Sequence, residues 1–254
     1  MKIAIIGAGG IVRKAYLPLL AVMPEVEVVG LYNRTPPHMQ DICEKWRIPN
    51  CTADLSDILA LEPQAVLVLT SADSHFEICC TFLENGVDVY SEKPLTESSE
   101  RSFELSEVAR TNKRILAVGF NRRYALLYKQ AKEILGDQKV NLAVIQKHRT
   151  RPSNTTLFDH YLDDTIHQVD LLRFYCGDAS ALTTSYEKAG GLITSAVSTA
   201  RLPDGGEGVI MICNNAGAWQ ESVTLHASGL TVHVDAFSRL RVLHENHEEV
   251  YGVD

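Results

Sequence analysis

The run Lys2-Ile3-Ala4-Ile5-Ile6 leads directly into Gly7-Ala8-Gly9-Gly10-Ile11-Val12, and this junction constrains the fold more than any other stretch of the chain. A buried strand that stops at glycines and restarts as a helix opens a βαβ unit. Gly7 permits the tight turn, and Gly9 lets the backbone approach a pyrophosphate. The first helical N–H groups, from Gly10 and Ile11, then face that anion with the positive end of the helix dipole behind them. Val12 stands where a third small residue is usual. That position governs helix–strand packing rather than phosphate contact, so a dinucleotide is still the expected ligand.

The pattern continues in kind. Candidate strands at Val26–Tyr32, Ala65–Leu69, Val87–Tyr90 and Ile115–Val118 alternate with helical periods near Val12–Val22, Pro37–Trp46, Leu55–Leu59, Phe76–Glu84 and Glu97–Thr111. Such alternation predicts a doubly wound parallel sheet of the Rossmann kind, covered on both faces. Beyond about residue 120 the character changes. A helix is expected near Tyr124–Leu135, a strand at Asn141–Lys147, and a second helix over Tyr161–Tyr175 closed by Gly177. Strands joined by short turns follow to the end, which predicts an antiparallel meander. The expected domains are therefore 1–120, a nucleotide-binding Rossmann domain, and 121–254, an α+β domain with a mostly antiparallel sheet.

Charge and composition narrow the partners. With 32 Asp plus Glu against 24 Lys plus Arg, the net charge of −8 argues against general affinity for nucleic acid or anionic lipid. No apolar run reaches the ~18 residues that a membrane span requires, and the N-terminus lacks the length and cleavage site of a signal peptide. The 6 cysteines form no C-x-x-C pair, which predicts reduced thiols in a cytoplasmic protein.

The end of the second strand selects the cofactor. Domains that bind NAD place a carboxylate there for the ribose 2′-hydroxyl, whereas this chain reads Tyr32-Asn33-Arg34-Thr35. Asn33 and Thr35 can hydrogen-bond a phosphate, and the Arg34 guanidinium can pair with it and stack on adenine. NADP is the expected cofactor, with NAD as the alternative.

Two further segments carry chemistry. Ser91-Glu92-Lys93-Pro94 follows a parallel strand, so Lys93 lies on the edge where open α/β sheets bind ligands. Pro94 holds Lys93 extended and admits a cis bond. Asp163-Asp164-Thr165-Ile166-His167-Gln168-Val169-Asp170 places Asp163, His167 and Asp170 at helical spacings of four and three. A carboxylate beside an imidazole there suits general acid–base work. The tail His244-Glu245-Asn246-His247-Glu248-Glu249 reads as a strand whose side chains diverge, so no metal site is expected.

Taken in order, the glycine turn, Thr70-Ser71-Ala72-Asp73-Ser74-His75, Glu92-Lys93-Pro94, Gly119-Phe120-Asn121-Arg122-Arg123 and Asp163 through His167, Asp170 and Gly177 resemble the Gfo/Idh/MocA family of glucose–fructose oxidoreductase and inositol dehydrogenase relatives. The Asp-Asp-x-x-His helix is similar to that of its virulence-factor MviM-like branch. The resemblance implies a large open sheet in the second domain, often used for homo-oligomerisation. It also implies hydride transfer between a nicotinamide and a hydroxyl-bearing carbon of a sugar or cyclitol. By position it makes Lys93 the group that binds the reacting hydroxyl, His167 the proton acceptor and Asp163 its orienting partner. Thr70 and Ser71 would line the dinucleotide, with His75 supporting that loop, Glu92 near the nicotinamide ribose, and Asn121 and Arg122 by the cleft. Thr165 replaces the family's usual Gly, and relatives continue past position 254 through a further helical segment. The competing expectation is a catalytically silent dinucleotide-binding sensor or assembly protein.

Overall fold

The computed structural model describes residues 1–35 and 37–252, so Pro36 and the last two residues of the expected second domain lie outside it. The chain parts between Gly119 and Phe120 into two compact units.

The first unit is a six-stranded sheet of β1 (Lys2–Ile6), β2 (Glu27–Tyr32), β3 (Cys51–Thr52), β4 (Ala65–Val68), β5 (Asp88–Ser91) and β6 (Leu116–Val118). Its order is β3-β2-β1-β4-β5-β6 and every pairing is parallel. Strand residues alternate between two cores. Ile3, Ile5 and Leu31 face Val12, Leu17, Met39 and Ile42, on α1 (Leu17–Leu20), α2 (Pro37–Trp46) and the turn before α1. Ala4, Ile6, Val66, Val68 and Val89 face Ile58, Phe82, Leu83 and Leu105. These lie on α3 (Leu55–Ala60), α4 (Ala72–Glu84) and α5 (Ser99–Thr111). Both faces are thus buried, as the unbroken apolar strands require. The order reverses between β1 and β4, and at such a switch point the strand ends leave a crevice for a ligand.

The second unit carries an eight-stranded sheet in the order β14-β13-β12-β11-β7-β10-β9-β8. Its strands are β7 (Leu142–His148), β8 (Ser180–Ala189), β9 (Leu192–Arg201), β10 (Glu207–Cys213), β11 (Gln220–Ala227), β12 (Leu230–Asp235), β13 (Arg239–His244) and β14 (His247–Gly252). The expected meander is corrected here. β10 and β11 do not pair; β7 lies between them, parallel to β10 and antiparallel to β11. The strand that precedes the helices takes the central place, and the chain between β10 and β11 passes over its end. Ala143, Ile145, Ile210, Val223, Leu225 and Val232 turn one face onto α6 (Leu126–Leu135) and α8 (Ile166–Cys176). Leu142, Val144, Val209, Met211, Thr224 and His226 line the other face and stay half-buried, with no helix over them among the described residues.

The cysteine reading is corrected too. Cys43 of α2 and Cys51 of β3 are joined in a disulfide, Cα to Cα 6.5 Å. The short return after α2 brings β3 back beside that helix, a proximity that spacing alone does not reveal. Cys79, Cys80, Cys176 and Cys213 remain thiols. Burial pushes Cys79 up to about 12 and Cys176 up to about 11, which keeps both thiols protonated at neutral pH. Among the described residues no helix is long and apolar enough to cross a membrane.

Candidate functional site

The glycine turn forms as its sequence demands. Gly7 has φ of +112°, a conformation in which a side chain would be strained. A Cβ there would also lie 2.9 Å from the backbone of Leu69. Its N–H donates to Tyr32 O at 2.8 Å, tying the turn to the end of β2. At Gly9, by contrast, a Cβ would meet nothing within 4 Å. Protein packing leaves that side open, and Gly9 borders a cavity of about 410 Å³. Gly7, Asn33, Arg34, Thr35, Thr70 and Ser71 line the same cavity, so with Gly9 seven of the expected cofactor residues meet there, and Ala8 lies beside them. Gly10 is exposed, with open space where its Cβ would be, and Ile11 is exposed at the first helical turn. The N-cap of α4, Ser71, adds a second helix N-terminus to the wall. Both helix starts offer N–H groups to an anion.

The rim beside β2 has no carboxylate of its own. Asn33 spends its amide on Thr35 O at 2.9 Å, which shapes the loop that carries Arg34. Asp73, in the first turn of α4, is held below the usual carboxylate range chiefly by the Ser71 hydroxyl, with a smaller contribution from Arg34. The walls therefore fit a dinucleotide: a glycine cradle, two helix starts and an Arg on the loop after β2.

His75 is buried on α4, with Nδ1 2.9 Å from Pro94 O and Nε2 3.1 Å from Thr70 O. It clamps the cavity loop to the Glu-Lys-Pro segment. The Lys93–Pro94 bond is cis. The Lys93 N–H donates to Glu92 Oε2 at 3.1 Å, and Glu92 Oε1 accepts from the Tyr16 hydroxyl at 2.5 Å.

The second unit differs from the expected single helix over Tyr161–Tyr175. α7 (Leu157–His160) is followed by a π-helical turn, Tyr161–Thr165, and then by α8. Asp163 lies in that wide turn and His167 in α8. Because a π-turn inserts a residue into the α register, spacing in sequence no longer dictates which side chains share a stripe. A second π-turn, Val12–Tyr16, opens the helix after the glycine turn. Such turns recur at functional sites.

Charge is allocated over long separations in sequence. Arg123 Nε reaches both oxygens of Asp170, at 2.8 and 2.7 Å. The extra acid, Asp164, receives Arg149 Nε at 3.0 Å and Nη2 at 2.6 Å, and pairs with the buried Lys147 ammonium. Burial alone would raise the Asp164 carboxyl, but these two cations outweigh it and hold the group far below the ordinary carboxylate range. Arg122 Nε and Nη2 grip the buried Glu221 carboxylate at 2.6 and 2.9 Å, while Nη1 donates to Asn121 Oδ1 at 3.0 Å. Arg122 and Arg123 thus fasten the 3₁₀ turn Asn121–Tyr124 to the sheet and to α8. His167 is buried, its ring perpendicular to Phe120 at 6.4 Å between centroids.

Sequence reasoning missed Tyr16, Tyr90, Lys147, Arg149 and Glu221. A buried Lys on a strand, in the alternating run Leu142–His148, is the one signal that marks Lys147 in advance.

Residues 1–120 match the Gfo/Idh/MocA oxidoreductase family, NAD-binding Rossmann fold. YceM of Salmonella typhimurium, which carries an oxidoreductase name, is 36% identical over 196 residues, 77% of this chain and 61% of that protein. The scyllo-inositol 2-dehydrogenase (NAD(+)) of Bacillus subtilis is 25% identical over 186 residues, 70% of this chain and 54% of its own length. A Gfo/Idh/MocA family oxidoreductase from Vibrio cholerae superposes with a TM-score of 0.87 at 29% identity, over 100% of this chain and 82% of that one. The chain thus spans about three fifths or less of these two curated relatives. Residues 1–120 thus match the NAD-binding Rossmann fold of the Gfo/Idh/MocA oxidoreductase family, and the chain as a whole is similar to proteins that carry oxidoreductase and inositol dehydrogenase names.

Proposed function

We propose that the chain is an NADP-dependent oxidoreductase that moves a hydride between the nicotinamide and a hydroxyl-bearing carbon of a sugar, cyclitol or similar polyol. The observation that carries this reading is the 410 Å³ cavity, lined by both the glycine turn and Asn33-Arg34-Thr35. Scyllo-inositol 2-dehydrogenase among the relatives supports the substrate class. The Asp163-Asp164 helix supports a place near the MviM-like branch.

A dinucleotide bound in this cavity would supply the hydride donor or acceptor. The protein does the rest. Gly9, Gly10 and Ile11 would hold the pyrophosphate through backbone N–H groups, Gly7 shapes the turn that presents them, and Thr70 and Ser71 line the path, with His75 bracing their loop. Glu92 and Asn121 are assigned to the cofactor as well. The Lys93 ammonium binds the reacting hydroxyl and lowers the cost of alkoxide character as its proton departs. His167 accepts that proton in the oxidation direction, and Asp163 orients the ring. The helix-free face of the second sheet is the proposed contact between copies in a homo-oligomer. The reading places the protein in the cytoplasm and assigns it no nucleic-acid or membrane partner.

The test is a fluorescence titration with both reduced cofactors. A charge-assisted pair between the exposed Arg34 and the 2′-phosphate should favour NADPH over NADH by about tenfold. Arg34→Ala should erase that preference and leave NADH affinity within about threefold. Equal affinities in the unaltered chain would remove Arg34 from its role.

A further inference from the structure

We propose that Tyr16 is a positioning residue for Lys93, acting through the Glu92 carboxylate. The inference rests on the reading of Lys93 as the group that binds the reacting hydroxyl, and it adds a residue to which that reading gives no task. Tyr16 is the last residue of the π-turn Val12–Tyr16. There Leu17 N–H reaches back to Val12 O, so one residue is inserted into the helical register. An insertion of this kind rotates the succeeding residues by about 100° relative to a plain α-helix. The Tyr16 side chain does not line the dinucleotide cavity. Its hydroxyl meets Glu92 Oε1 at 2.5 Å and the Tyr90 hydroxyl at 2.9 Å.

The carboxylate carries the link onward. Glu92 Oε2 accepts the backbone N–H of Lys93 at 3.1 Å, so one carboxylate bridges the first helix and the main chain of the lysine. The network has space made for it. A Cβ on Gly119, at the end of β6, would lie 2.8 Å from the Tyr90 hydroxyl and 3.5 Å from Glu92 Cδ. The Tyr16 and Tyr90 rings pack edge to face, centroids 6.0 Å apart at 65°. Burial, then the Glu92 and Tyr90 contacts, push the Tyr16 phenol far above its ordinary range, so it stays protonated and donates.

The physical consequence is precision at Lys93. A lysine side chain has four rotatable bonds, and its ammonium can be aimed only as well as its backbone is fixed. Tyr16 and the Lys93 N–H hold the two Glu92 oxygens from opposite partners, while the cis Pro94 carbonyl is held by His75 on the other side. The segment is therefore braced from the helix that opens at the glycine turn and from the loop that ends at Thr70.

The test is site-resolved amide hydrogen exchange on the full chain without cofactor, comparing Tyr16→Phe with the unaltered protein. The substitution removes only the hydroxyl and keeps the ring. The Lys93 amide should exchange about tenfold faster. The amides of Leu67 and Val68 in the adjoining strand should be unchanged, and NADPH affinity should stay within about threefold. Tyr90→Phe, which leaves the Tyr16–Glu92 bond in place, should change the Lys93 amide less than threefold. Should Tyr16→Phe fail to fold, Glu92→Gln is read at the same amide and should accelerate it likewise. An unchanged Lys93 amide, or acceleration spread evenly over the first unit, would overturn the proposal. Exchange is read without turnover, so its failure leaves the role of Lys93 standing, and the failure of that role is read separately from Lys93→Ala.

Discussion

Lys93→Ala is expected to lower kcat about 1,000-fold while leaving the NADPH dissociation constant within about threefold of the unaltered chain. The size follows from the role. A positioned cation beside a developing alkoxide, coupled to proton transfer, contributes on the order of 10² to 10⁴ in rate. Dinucleotide affinity should survive, because the cavity walls at Gly7, Gly9, Arg34, Thr70 and Ser71 are untouched. Lys93→Arg keeps the charge but replaces a compact ammonium with a planar fork, so it should recover only a small part of the rate. Steady-state kinetics and fluorescence titration on the same preparations separate the two effects. Retained kcat in Lys93→Ala would remove the lysine from the chemistry.

Asp164→Asn should destabilise the second unit by about 3–5 kcal/mol, the usual cost of leaving one partner of a buried ion pair uncompensated. The Lys147 side chain is only 2% exposed, and its ammonium also donates to Asp164 O at 3.1 Å. Losing the carboxylate strands that charge and the Arg149 fork together. The melting temperature should fall by on the order of 10 °C, and urea unfolding at pH 7 should show the same loss. The pH dependence has a definite sign. The folded-state carboxyl titrates below its unfolded value of about 3.9, so its contribution is fully present above about pH 5. It is lost as pH falls through the folded value. The gap between variant and unaltered chain should therefore be constant from pH 7 to about 5 and narrow below about 4. Replacing the ions together, as Lys147→Met with Asp164→Leu, should cost far less than Asp164→Asn alone. A loss under about 1 kcal/mol for Asp164→Asn would show that water reaches the pair.

The first unit is legible in the sequence because its determinants are local. The glycine turn, the apolar strands and the alternation of helix and strand each act within some 10 to 30 residues, and the observed strand order is the one that pattern implies. The gathering of Asn33, Arg34, Thr35, Thr70 and Ser71 around one cavity follows from the strand ends alone. The second unit resists where partners are distant. Arg123 and Asp170 are 47 residues apart, and Arg122 and Glu221 are 99 apart. No spacing in sequence says which carboxylate a guanidinium will take. Helical spacing makes Asp163 and Asp170 neighbours of His167, whereas the structure pairs Asp170 with Arg123 and the extra acid, Asp164, with Lys147 and Arg149. The π-turns are hidden for a similar reason. The composition of Tyr161–Thr165 suits an α-helix, and the widened hydrogen bonding depends on how its flanks are anchored. The place of β7 between β10 and β11 is a choice of register and topology that alternating apolar residues permit without dictating.

Single polyols, among them myo-inositol, scyllo-inositol and methyl β-D-glucoside, added to the chain with saturating NADP⁺ and followed by absorbance at 340 nm show whether hydride reaches the dinucleotide. A time-dependent rise is expected with at least one of them, and it should vanish in Lys93→Ala. Tight NADP⁺ binding with no rise across inositols, aldoses and their glycosides would contradict that expectation, and would make the chain a binder of the dinucleotide rather than a catalyst of hydride transfer.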